Sequence, residues 1–582
     1  FPLKRNEKEL NLLNAEFPIV NATSELSDCR GAWTFDEAHA CWCLEDILYT
    51  QAATTPKFQR MSIFVPAAYL HADGTPALDG QCGEYTGATA PVIFENNSAG
   101  YMQMPHTWLG GPRDEAEKYL AAGMVYVTCG SRGRESRNAD GILCGKAPWT
   151  LVDLKTGIRF LRHNATALPG DFSHMISVGW SAGGAMSALL GVTGDNPLYE
   201  EFLKQNGAFM EESDTVFASQ IYCPIVDLEH ADLAYEWQFQ KDEENEDSPA
   251  GPAGKMTPFQ KALSKKLSER YIRYFNSLGL QAPDGTPLTI GSDGRSGTAY
   301  AALMKLLNDS ASDYLHRLDC SLLDVPYSTA DYLSGNYTVK KPAPAPKPHG
   351  AELLQGHAGP GVALNVDAAK PDKPSAPSSL GDLVSRPPKG VPYHGFQPPM
   401  MEVSGDEKSE WLRWDGKRAT ITDLDNYLLH HRRRMKPCTS FDTLGMDSGE
   451  NQEFGTAERD YMHFCTDIAP AIAELKDVFP TEYNKYYVSY AACIGDTEQE
   501  KRKFLLNPLN FIGTSQPDSG TLHYRIRVGA QDADTAFIIS MVLAAKLQNA
   551  GKNTDYALVW DKPHCQADYP GEVVAWIKEI CH

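Results

Sequence analysis

The sequence predicts an α/β fold in which a mostly parallel central sheet is covered by helices on both faces. Apolar strand-like runs alternate with helix-like runs up to about residue 228, a pattern typical of parallel sheets. A glycine-flanked serine stands between one such strand and the helix that follows it. Strand-like runs then return only near Tyr524, after about 300 residues. The sheet is therefore predicted to be interrupted by a large insertion.

The predicted elements divide the chain into two units. Residues 1–228 and 516–582 are predicted to form one catalytic domain, and residues 229–515 an inserted domain. Within the insertion, residues 341–400 hold 13 of the 38 prolines, a density typical of extended, poorly packed segments. The predicted strands are 60–65, 91–94, 124–129, 175–179, 217–223, 524–529 and 556–560; the predicted helices are 113–122, 151–164, 185–190, 259–279, 298–308, 422–431, 456–479, 536–547 and 571–580.

The glycine-flanked serine lies in Gly179-Trp180-Ser181-Ala182-Gly183-Gly184. The G-x-S-x-G pattern between a strand and a helix is that of a nucleophile elbow, whose sharp turn exposes the serine hydroxyl. Side chains at the flanking glycines would collide with neighbouring backbone. The pattern predicts the α/β-hydrolase fold with Ser181 as nucleophile. It also places the amide of Ala182 where an oxyanion would form.

The other two residues of a hydrolase triad follow the serine in the order acid, then histidine. His564 follows the last predicted strand and is the predicted general base. Asp532 and Asp534 follow strand 524–529, and we expect one catalytic acid and one helix cap, with Asp532 preferred as the acid. Asp227, after strand 217–223, is the alternative acid.

A second oxyanion amide is expected from a loop after an early strand. Residues 95–101 follow strand 91–94 and end in Ala99-Gly100-Tyr101. Gly100 is the predicted donor, because backbone must approach the substrate closely there. The alternative interpretation of this loop is an ordinary turn.

Composition excludes several classes of partner. The net charge of −22 argues against nucleic acid or an anionic membrane, since phosphate contacts need basic patches. The basic run 430–434 is interpreted as a solvated helix face. No apolar stretch reaches the length of a membrane span. The 13 cysteines are an odd number without framework-like spacing, so mostly reduced thiols are expected. Neither a zinc motif nor any other cofactor pattern is indicated.

Taken together, these motifs resemble those of bacterial tannases, which are tannin acyl hydrolases of the α/β-hydrolase fold with a large inserted lid. The resemblance covers most of the chain except the proline-rich segment. The matching stretches are Gly179 to Gly184, Asp227-Leu228-Glu229-His230-Ala231-Asp232, Glu450-Asn451-Gln452-Glu453-Phe454-Gly455, Gly529-Ala530-Gln531-Asp532-Ala533-Asp534-Thr535 and Pro563-His564.

The resemblance implies roles for four residues. In that family the first aspartate of the Asp-x-Asp pair completes the triad, which favours Asp532 over Asp227. The second aspartate contacts the galloyl ring, which implies the same for Asp534. A lysine and a glutamate of the lid bind the galloyl hydroxyls, and Lys436 and Glu450 stand at the matching positions. Carboxylates can accept from phenolic hydroxyls, and an ammonium can donate to their oxygens.

One departure from related enzymes concerns the residue before the serine. Fungal tannases and feruloyl esterases have a cysteine there, joined by a disulfide to a cysteine beside the histidine. Here Trp180 precedes Ser181. The resemblance therefore leaves Cys565 without that partner, and we expect it to be a free thiol.

The predicted function is a serine esterase that hydrolyses galloyl esters to gallate and an alcohol, with small-molecule galloyl or aryl esters as its only predicted partners. The main alternative is a feruloyl or general aryl carboxylesterase with the same triad. A peptidase of this fold is disfavoured because no repeated propeller pattern is seen. A catalytically silent binding protein is disfavoured because all three triad residue types are present. The sequence does not predict the oligomeric state.

Overall fold

The main feature of the structure, a computed structural model, is a nine-stranded mixed sheet with helices around it. The structure describes residues 25–110, 115–242, 255–342 and 400–581. The strand order is β1-β2-β3-β7-β6-β8-β9-β14-β15. The first four strands pair antiparallel to their neighbours, and from β7 to β15 every pair is parallel. This architecture agrees with the predicted α/β-hydrolase fold and its mostly parallel sheet.

The strands of this sheet match the seven predicted runs and add two more. Their bounds are β1 Thr34–Asp36, β2 Cys41–Leu48, β3 Arg60–Pro66, β6 Pro91–Asn96, β7 Val125–Cys129, β8 Asp171–Trp180, β9 Ala218–Tyr222, β14 His523–Gly529 and β15 Asn553–Val559. A small hairpin formed by β4 (Gln81–Cys82) and β5 (Tyr85–Thr86) lies outside the sheet.

The sequence analysis missed β1, which has only three residues, and β2, which contains a bulge. The pairing of β2 with β3 shifts register between Leu44 and Ile47, and Asp46 within the bulge has φ of 60°. A bulge removes the strict alternation of side chains along a strand. At the bulge, the two acidic residues Glu45 and Asp46 interrupt an otherwise apolar run, so the sequence does not show the pattern of a strand.

Helices cover both faces of the sheet, and their apolar residues join one large core with the strands. The helices outside the insertion are α1 Ala116–Ala121, α2 Trp149–His163, α3 Ala182–Val192, α4 Glu200–Gln205, α14 Phe537–Asn549 and α15 Glu572–Ile580. Those that begin between residues 228 and 515 are α5 Leu228–Gln238, α6 Pro258–Ser277, α7 Thr298–Asp319, α8 Thr329–Ser334, α9 Leu424–His430, α10 Gly449–Glu453, α11 Ile468–Ala473, α12 Pro480–Ala491 and α13 Thr497–Leu506.

The insertion between β9 and β14 is mainly helical, as predicted, but three details differ. Helix α7 is twice as long as predicted, because buried residues continue at helical spacing through Ala311, Leu315 and Leu318. Four short strands, absent from the prediction, form two antiparallel two-stranded sheets separate from the main sheet: β10 Thr338–Pro342 with β11 Met400–Ser404, and β12 Leu412–Trp414 with β13 Ala419–Ile421. Most of the predicted proline-rich segment, residues 343–399, lies outside the described residues.

The third difference is the predicted helix 456–479, which is mostly not helical. Only Ile468–Ala473 forms a helix in this range. The backbone amides of Phe464 and Cys465 instead donate to the side chain of Asp442, at 2.7 and 2.8 Å. A carboxylate that accepts these amides removes them from any helical ladder.

No helix in the described ranges has the combination of length and hydropathy needed to cross a bilayer.

Candidate active site

The predicted site residues come together at the carboxyl ends of the parallel strands. Ser181 follows β8, Gly100 lies shortly after β6, Asp532 follows β14 and His564 follows β15. These strands run in one direction, so their carboxyl ends share one edge of the sheet. Residues up to 464 positions apart in sequence, such as Gly100 and His564, therefore meet at one place.

Ser181 has the strained backbone of a nucleophile elbow. Its φ of 59° and ψ of −122° lie in a region that side-chain-bearing residues rarely adopt. The turn is held because the Ser181 amide donates to the carbonyl of Tyr222 on β9 at 3.0 Å. Helix α3 begins at Ala182, so the first free amides of the helix point toward the region of the serine hydroxyl.

The three glycines of the elbow lie in close contact with neighbouring atoms, which are backbone atoms at Gly179 and Gly184 and a side chain at Gly183. A Cβ atom on Gly179 would lie 2.2 Å from the carbonyl oxygen of Gly183, and one on Gly184 would lie 2.4 Å from that of Tyr222. A Cβ on Gly183 would lie 2.8 Å from the Asn96 side chain. A side chain at Gly179 or Gly184 would therefore require the backbone to move, and one at Gly183 would require the Asn96 side chain to move.

Asn96 fixes the start of the predicted oxyanion loop against the elbow. Its Nδ2 donates to the carbonyls of Val178 and Gly183 at 3.0 and 3.1 Å. Gly100 follows in the short 3-10 turn Ala99–Tyr101 with φ of 59°, a conformation that favours glycine. Arg134 Nε donates to the Gly100 carbonyl at 2.9 Å. The loop is therefore held rigidly beside the N-terminus of α3.

His564 and Asp532 are hydrogen-bonded to each other. His564 Nδ1 donates to Asp532 Oδ2 at 2.7 Å, and both side chains are buried. The other oxygen of Asp532 accepts the backbone amides of Asp534 and Thr535 at 2.9 and 3.4 Å. The carboxylate is thus oriented by its own loop and in turn orients the imidazole.

Two opposing effects act on the pKa of His564. Burial is the largest single effect and lowers it, but the neighbouring Asp532, Cys223 and Asp534 together outweigh burial, and the pKa lies well above the usual value of 6.5. Asp534 adds to the increase, with Oδ2 at 4.0 Å from His564 Nδ1. The imidazolium form is stabilised where a general base would need to collect a proton.

The structure does not place a hydrogen bond between Ser181 and His564. Among the described residues, neither Ser181 Oγ nor His564 Nε2 has a hydrogen-bond partner, although both atoms are buried. Such bonds are often long in resting serine hydrolases and shorten when the substrate is bound.

Gly529, the last residue of β14, allows the acid loop and the histidine loop to touch. A Cβ atom there would lie 2.1 Å from the carbonyl oxygen of Lys562 and 2.6 Å from that of Pro563. The Gln531 amide also donates to the Lys562 carbonyl at 2.9 Å. The contact sets how closely the segment before His564 approaches the segment before Asp532.

The alternative acid, Asp227, lies in a different network. Its carboxylate accepts from His230 Nδ1 at 2.8 Å, from Tyr274 Oη at 2.6 Å and from Asn507 Nδ2 at 2.9 Å. These partners belong to α5, α6 and the segment after α13. The carboxylate joins elements of the insertion, and none of these three partners is His564.

Two of the three predicted galloyl-binding residues are in direct contact. Lys436 Nζ donates to the backbone carbonyl of Asp534 at 2.9 Å and lies 4.2 Å from the centre of the Phe441 ring. Glu450 is buried on the short helix α10. Helix α10 packs against the Ala99–Tyr101 turn, so Glu450 lies near the predicted oxyanion loop. Lys436 is therefore joined to the acid loop, and Glu450 lies on a helix beside the predicted oxyanion loop.

Tyr235 on α5, which the sequence analysis did not identify, links the lysine segment to the acid loop. Its hydroxyl donates to the Ala533 carbonyl at 2.9 Å and accepts the amides of Met435 and Lys436 at 3.1 and 3.2 Å. No sequence pattern marks it, because a buried tyrosine in an amphipathic helix is an ordinary core residue.

The basic run 430–434 is not a solvated helix face, contrary to the prediction. Helix α9 ends at His430. Arg434 is fully buried, donates to Glu236 at 2.6 Å and also donates from Nε to the Lys436 carbonyl at 2.6 Å. Arg433 pairs with the buried Asp242 at 2.7 Å. The two arginines point toward the interior because they pair with Glu236 on α5 and with Asp242 just after it.

Two overlapping sets of side chains at the site could hold a metal ion. They are Asp532, Asp534 and His564, and Cys223, Cys565 and His564. Both include the histidine, whose Nδ1 is already bonded to Asp532.

Comparisons with known proteins give the same assignment of fold. The BD-FAE family model matches residues 139–251, which include the elbow. No curated protein sequence matches the chain. Among solved structures, the tannin acyl hydrolase from Lactobacillus plantarum has 29% sequence identity and a TM-score of 0.68, covering 93% of this chain and 94% of that one. The tannase of Fusobacterium nucleatum has 26% identity and a TM-score of 0.67, covering 93% and 95%.

A third solved structure is a tannin acyl hydrolase in complex with ethyl gallate, with 29% identity, a TM-score of 0.66 and coverage of 93% of this chain and 94% of that one. The similarities extend over the sheet and the insertion alike, since about nine-tenths of each chain is covered. The predicted resemblance to bacterial tannases is confirmed, and the protein is a tannase-like carboxylic ester hydrolase with the α/β-hydrolase fold.

Proposed function

We propose that this protein is a serine esterase that hydrolyses galloyl esters to gallate and an alcohol through an acyl-enzyme. The observation that carries the proposal is the arrangement around His564. Its Nδ1 is bonded to the buried Asp532 at 2.7 Å, while its Nε2 is buried and without a hydrogen-bond partner among the described residues. An imidazole oriented by a carboxylate on one side, with its second nitrogen available, suits a general base.

In the proposed mechanism, His564 takes the proton of Ser181 as the serine oxygen attacks the ester carbonyl. The amides of Ala182 and Gly100 stabilise the resulting oxyanion. His564 then gives the proton to the departing alcohol. A water molecule, deprotonated by the same imidazole, releases the acid from Ser181. Asp532 stabilises the imidazolium in both steps, consistent with the raised pKa of His564.

Recognition of the galloyl ring is assigned to Lys436, Glu450 and Asp534. The bond from Lys436 Nζ to the Asp534 carbonyl supports this assignment, because it holds the ammonium beside the acid loop. A ring lacking the hydroxyls would leave these groups without partners. At a site built for hydrogen bonds, such a mismatch costs about 10⁴-fold in selectivity.

We further propose that residues 229–515 act as a lid. Lys436 and Glu450 belong to this segment, whereas Ser181, Asp532 and His564 belong to the sheet-bearing part of the chain. In this proposal, bond cleavage occurs at the sheet edge, and ring recognition is shared between Asp534 at that edge and two residues of the insertion.

The experiment compares kcat/KM for methyl gallate and methyl ferulate in the parent enzyme, in Ser181→Ala and in Lys436→Met. We expect gallate turnover that exceeds ferulate turnover, no turnover by Ser181→Ala, and a gallate-specific loss in Lys436→Met of about 10- to 100-fold, the value of a charged hydrogen bond. Lys417→Met, at an exposed lysine, is the matched control and should behave as the parent.

The alternative function, a feruloyl or general aryl esterase, predicts different results in the same experiment. A methoxy group cannot donate a hydrogen bond. Comparable rates on both esters would therefore contradict the assignment of galloyl recognition to Lys436, Glu450 and Asp534, but would be compatible with Ser181 as nucleophile. Turnover by Ser181→Ala would remove the serine mechanism itself.

A further inference from the structure

Two cysteines from distant parts of the chain meet beside His564. Cys223 follows β9, and Cys565 is the residue after His564. Their Sγ atoms are 3.5 Å apart, and the Cys565 amide donates to Cys223 Sγ at 3.1 Å. All 13 cysteines of the chain are thiols in the structure. Cys565 does lack a partner next to the serine, as expected, but Cys223 supplies one from another strand.

Both cysteines have unusual backbone conformations that bring their side chains together. The φ angles are 36° for Cys223 and 65° for Cys565, in a region that favours glycine. The Cys223 amide is fixed by a hydrogen bond to the Arg527 carbonyl on β14 at 2.8 Å. The short contact is therefore built into the backbone and does not depend on a flexible side chain.

We propose that Cys223 and Cys565 form a reversible disulfide that displaces His564 and thereby slows ester hydrolysis. The functional part of this proposal rests on the proposed role of His564 as general base. The covalent part rests on the sulfur geometry alone.

The two thiols differ in their access to an oxidant. Cys223 is completely buried, and burial together with the neighbouring Cys565 thiol raises its pKa well above the usual value. Cys565 is only partly buried. A small-molecule disulfide such as oxidised glutathione therefore meets Cys565 first.

The reaction is ordinary thiol–disulfide exchange. The Cys565 thiolate attacks oxidised glutathione, forming a mixed disulfide and releasing one glutathione thiolate. Cys223 then loses its proton and attacks the Cys565 sulfur, which releases the second glutathione. The protein loses two protons and two electrons, and one molecule of oxidised glutathione becomes two of reduced glutathione.

Closing the bond must move the histidine. A disulfide has sulfurs about 2.05 Å apart, so the 3.5 Å separation has to shrink by about 1.5 Å. Cys223 is held at the end of a buried strand, and most of the movement falls on Cys565 and its neighbour His564. A misplacement of about 1 Å can cost a catalytic group about 100-fold in rate.

The test incubates the purified full-length protein in glutathione buffers of opposite redox poise, alkylates the remaining thiols and analyses the peptides by mass spectrometry. We expect a linked peptide joining Cys223 and Cys565 in the oxidised sample, and its loss after dithiothreitol. The absence of this peptide in a sample whose exposed Cys320 is glutathionylated would overturn the proposal.

The same samples are assayed with methyl gallate and with a fluorophosphonate probe that labels Ser181. Probe labelling needs the base but not galloyl recognition, so it separates failure of the disulfide from failure of the proposed substrate. We expect both rates to fall at least about tenfold on oxidation and to recover on reduction. A linked peptide with unchanged labelling would also overturn the proposal.

Two variants serve as matched controls. Cys565→Ser removes one sulfur and should show the same labelling rate in both buffers. Cys320→Ser removes an exposed thiol elsewhere and should keep the full response. If Cys565→Ser retained the oxidative loss, another thiol would be responsible and the proposal would be wrong.

Discussion

The contact at Gly529 allows a sharp test of how the predicted acid and base are positioned. Gly529 ends a strand and does not have a positive φ, so alanine is acceptable to the local backbone. Its Cβ, however, would lie 2.1 Å from the Lys562 carbonyl oxygen. The loops that carry Asp532 and His564 must separate to accommodate it in Gly529→Ala.

The size of the effect follows from that distance. Carbon and oxygen atoms need a separation of about 3.2 Å, so one loop has to move by about 1 Å from its 2.1 Å contact. A displacement of this size in a catalytic array costs about 100-fold in rate. Overpacking itself destabilises by about 1–3 kcal/mol, which leaves a protein of this size folded at room temperature.

The assay measures kcat/KM for an aryl ester together with the melting temperature. We expect a loss of about 100-fold in kcat/KM, mostly in kcat. Gly31→Ala is the matched control, because an added Cβ there meets no described atom within 4 Å, and it should retain parental activity. Parental kcat/KM in Gly529→Ala would refute the reasoning that this contact sets the distance between the two loops.

Three further outcomes are expected. The general base must be neutral, and Asp532 helps to raise the pKa of His564 above 6.5, so kcat/KM should rise with pH through a midpoint above 6.5. A midpoint at or below 6.5 would contradict the pairing of His564 with Asp532. Asp532→Asn should lower kcat by about 10⁴-fold. Asp227→Asn should leave kcat/KM within about threefold of the parent but lower the melting temperature, because it breaks a buried network worth about 1–3 kcal/mol. Equal kinetic losses in the two variants would contradict the assignment of Asp532 as the acid. Arg434→Leu leaves the buried Glu236 without its positive partner and should lower the free energy of unfolding by about 3–5 kcal/mol, measured by denaturant titration. An unchanged denaturation midpoint would show that the Arg434–Glu236 pair is exposed in solution.

The fold class and seven strands of the sheet could be predicted because they depend on local patterns. Strands such as β6 and β7 are short, largely apolar runs, β14 alternates polar and apolar residues, and the elbow at Ser181 carries glycines that its turn requires. Strand–helix alternation then places Gly100, Ser181, Asp532 and His564 at one edge by the geometry of parallel sheets. The preference for Asp532 over Asp227 agrees with the hydrogen bond to His564.

The parts that could not be predicted depend on contacts between distant segments. The Tyr235 hydroxyl joins α5, the Lys436 segment and the acid loop. The residues next to Tyr235 in sequence do not indicate these contacts. The burial of Arg434 depends on Glu236, which is 198 residues away. The contact of Cys223 with Cys565 spans 342 residues. Such pairings are determined by tertiary packing, and the local secondary-structure propensities of the sequence do not predict them.

The position of β14 has a consequence for how the protein is made. This strand lies between β9 and β15, yet the chain runs through about 300 residues between the end of β9 at Tyr222 and the start of β14 at His523. At a synthesis rate of about 5–20 residues per second, the edge of β9 stays unpaired for about 15–60 s. An open strand edge is a site of aggregation, so the growing chain is exposed to incorrect strand pairing until β14 has been synthesised.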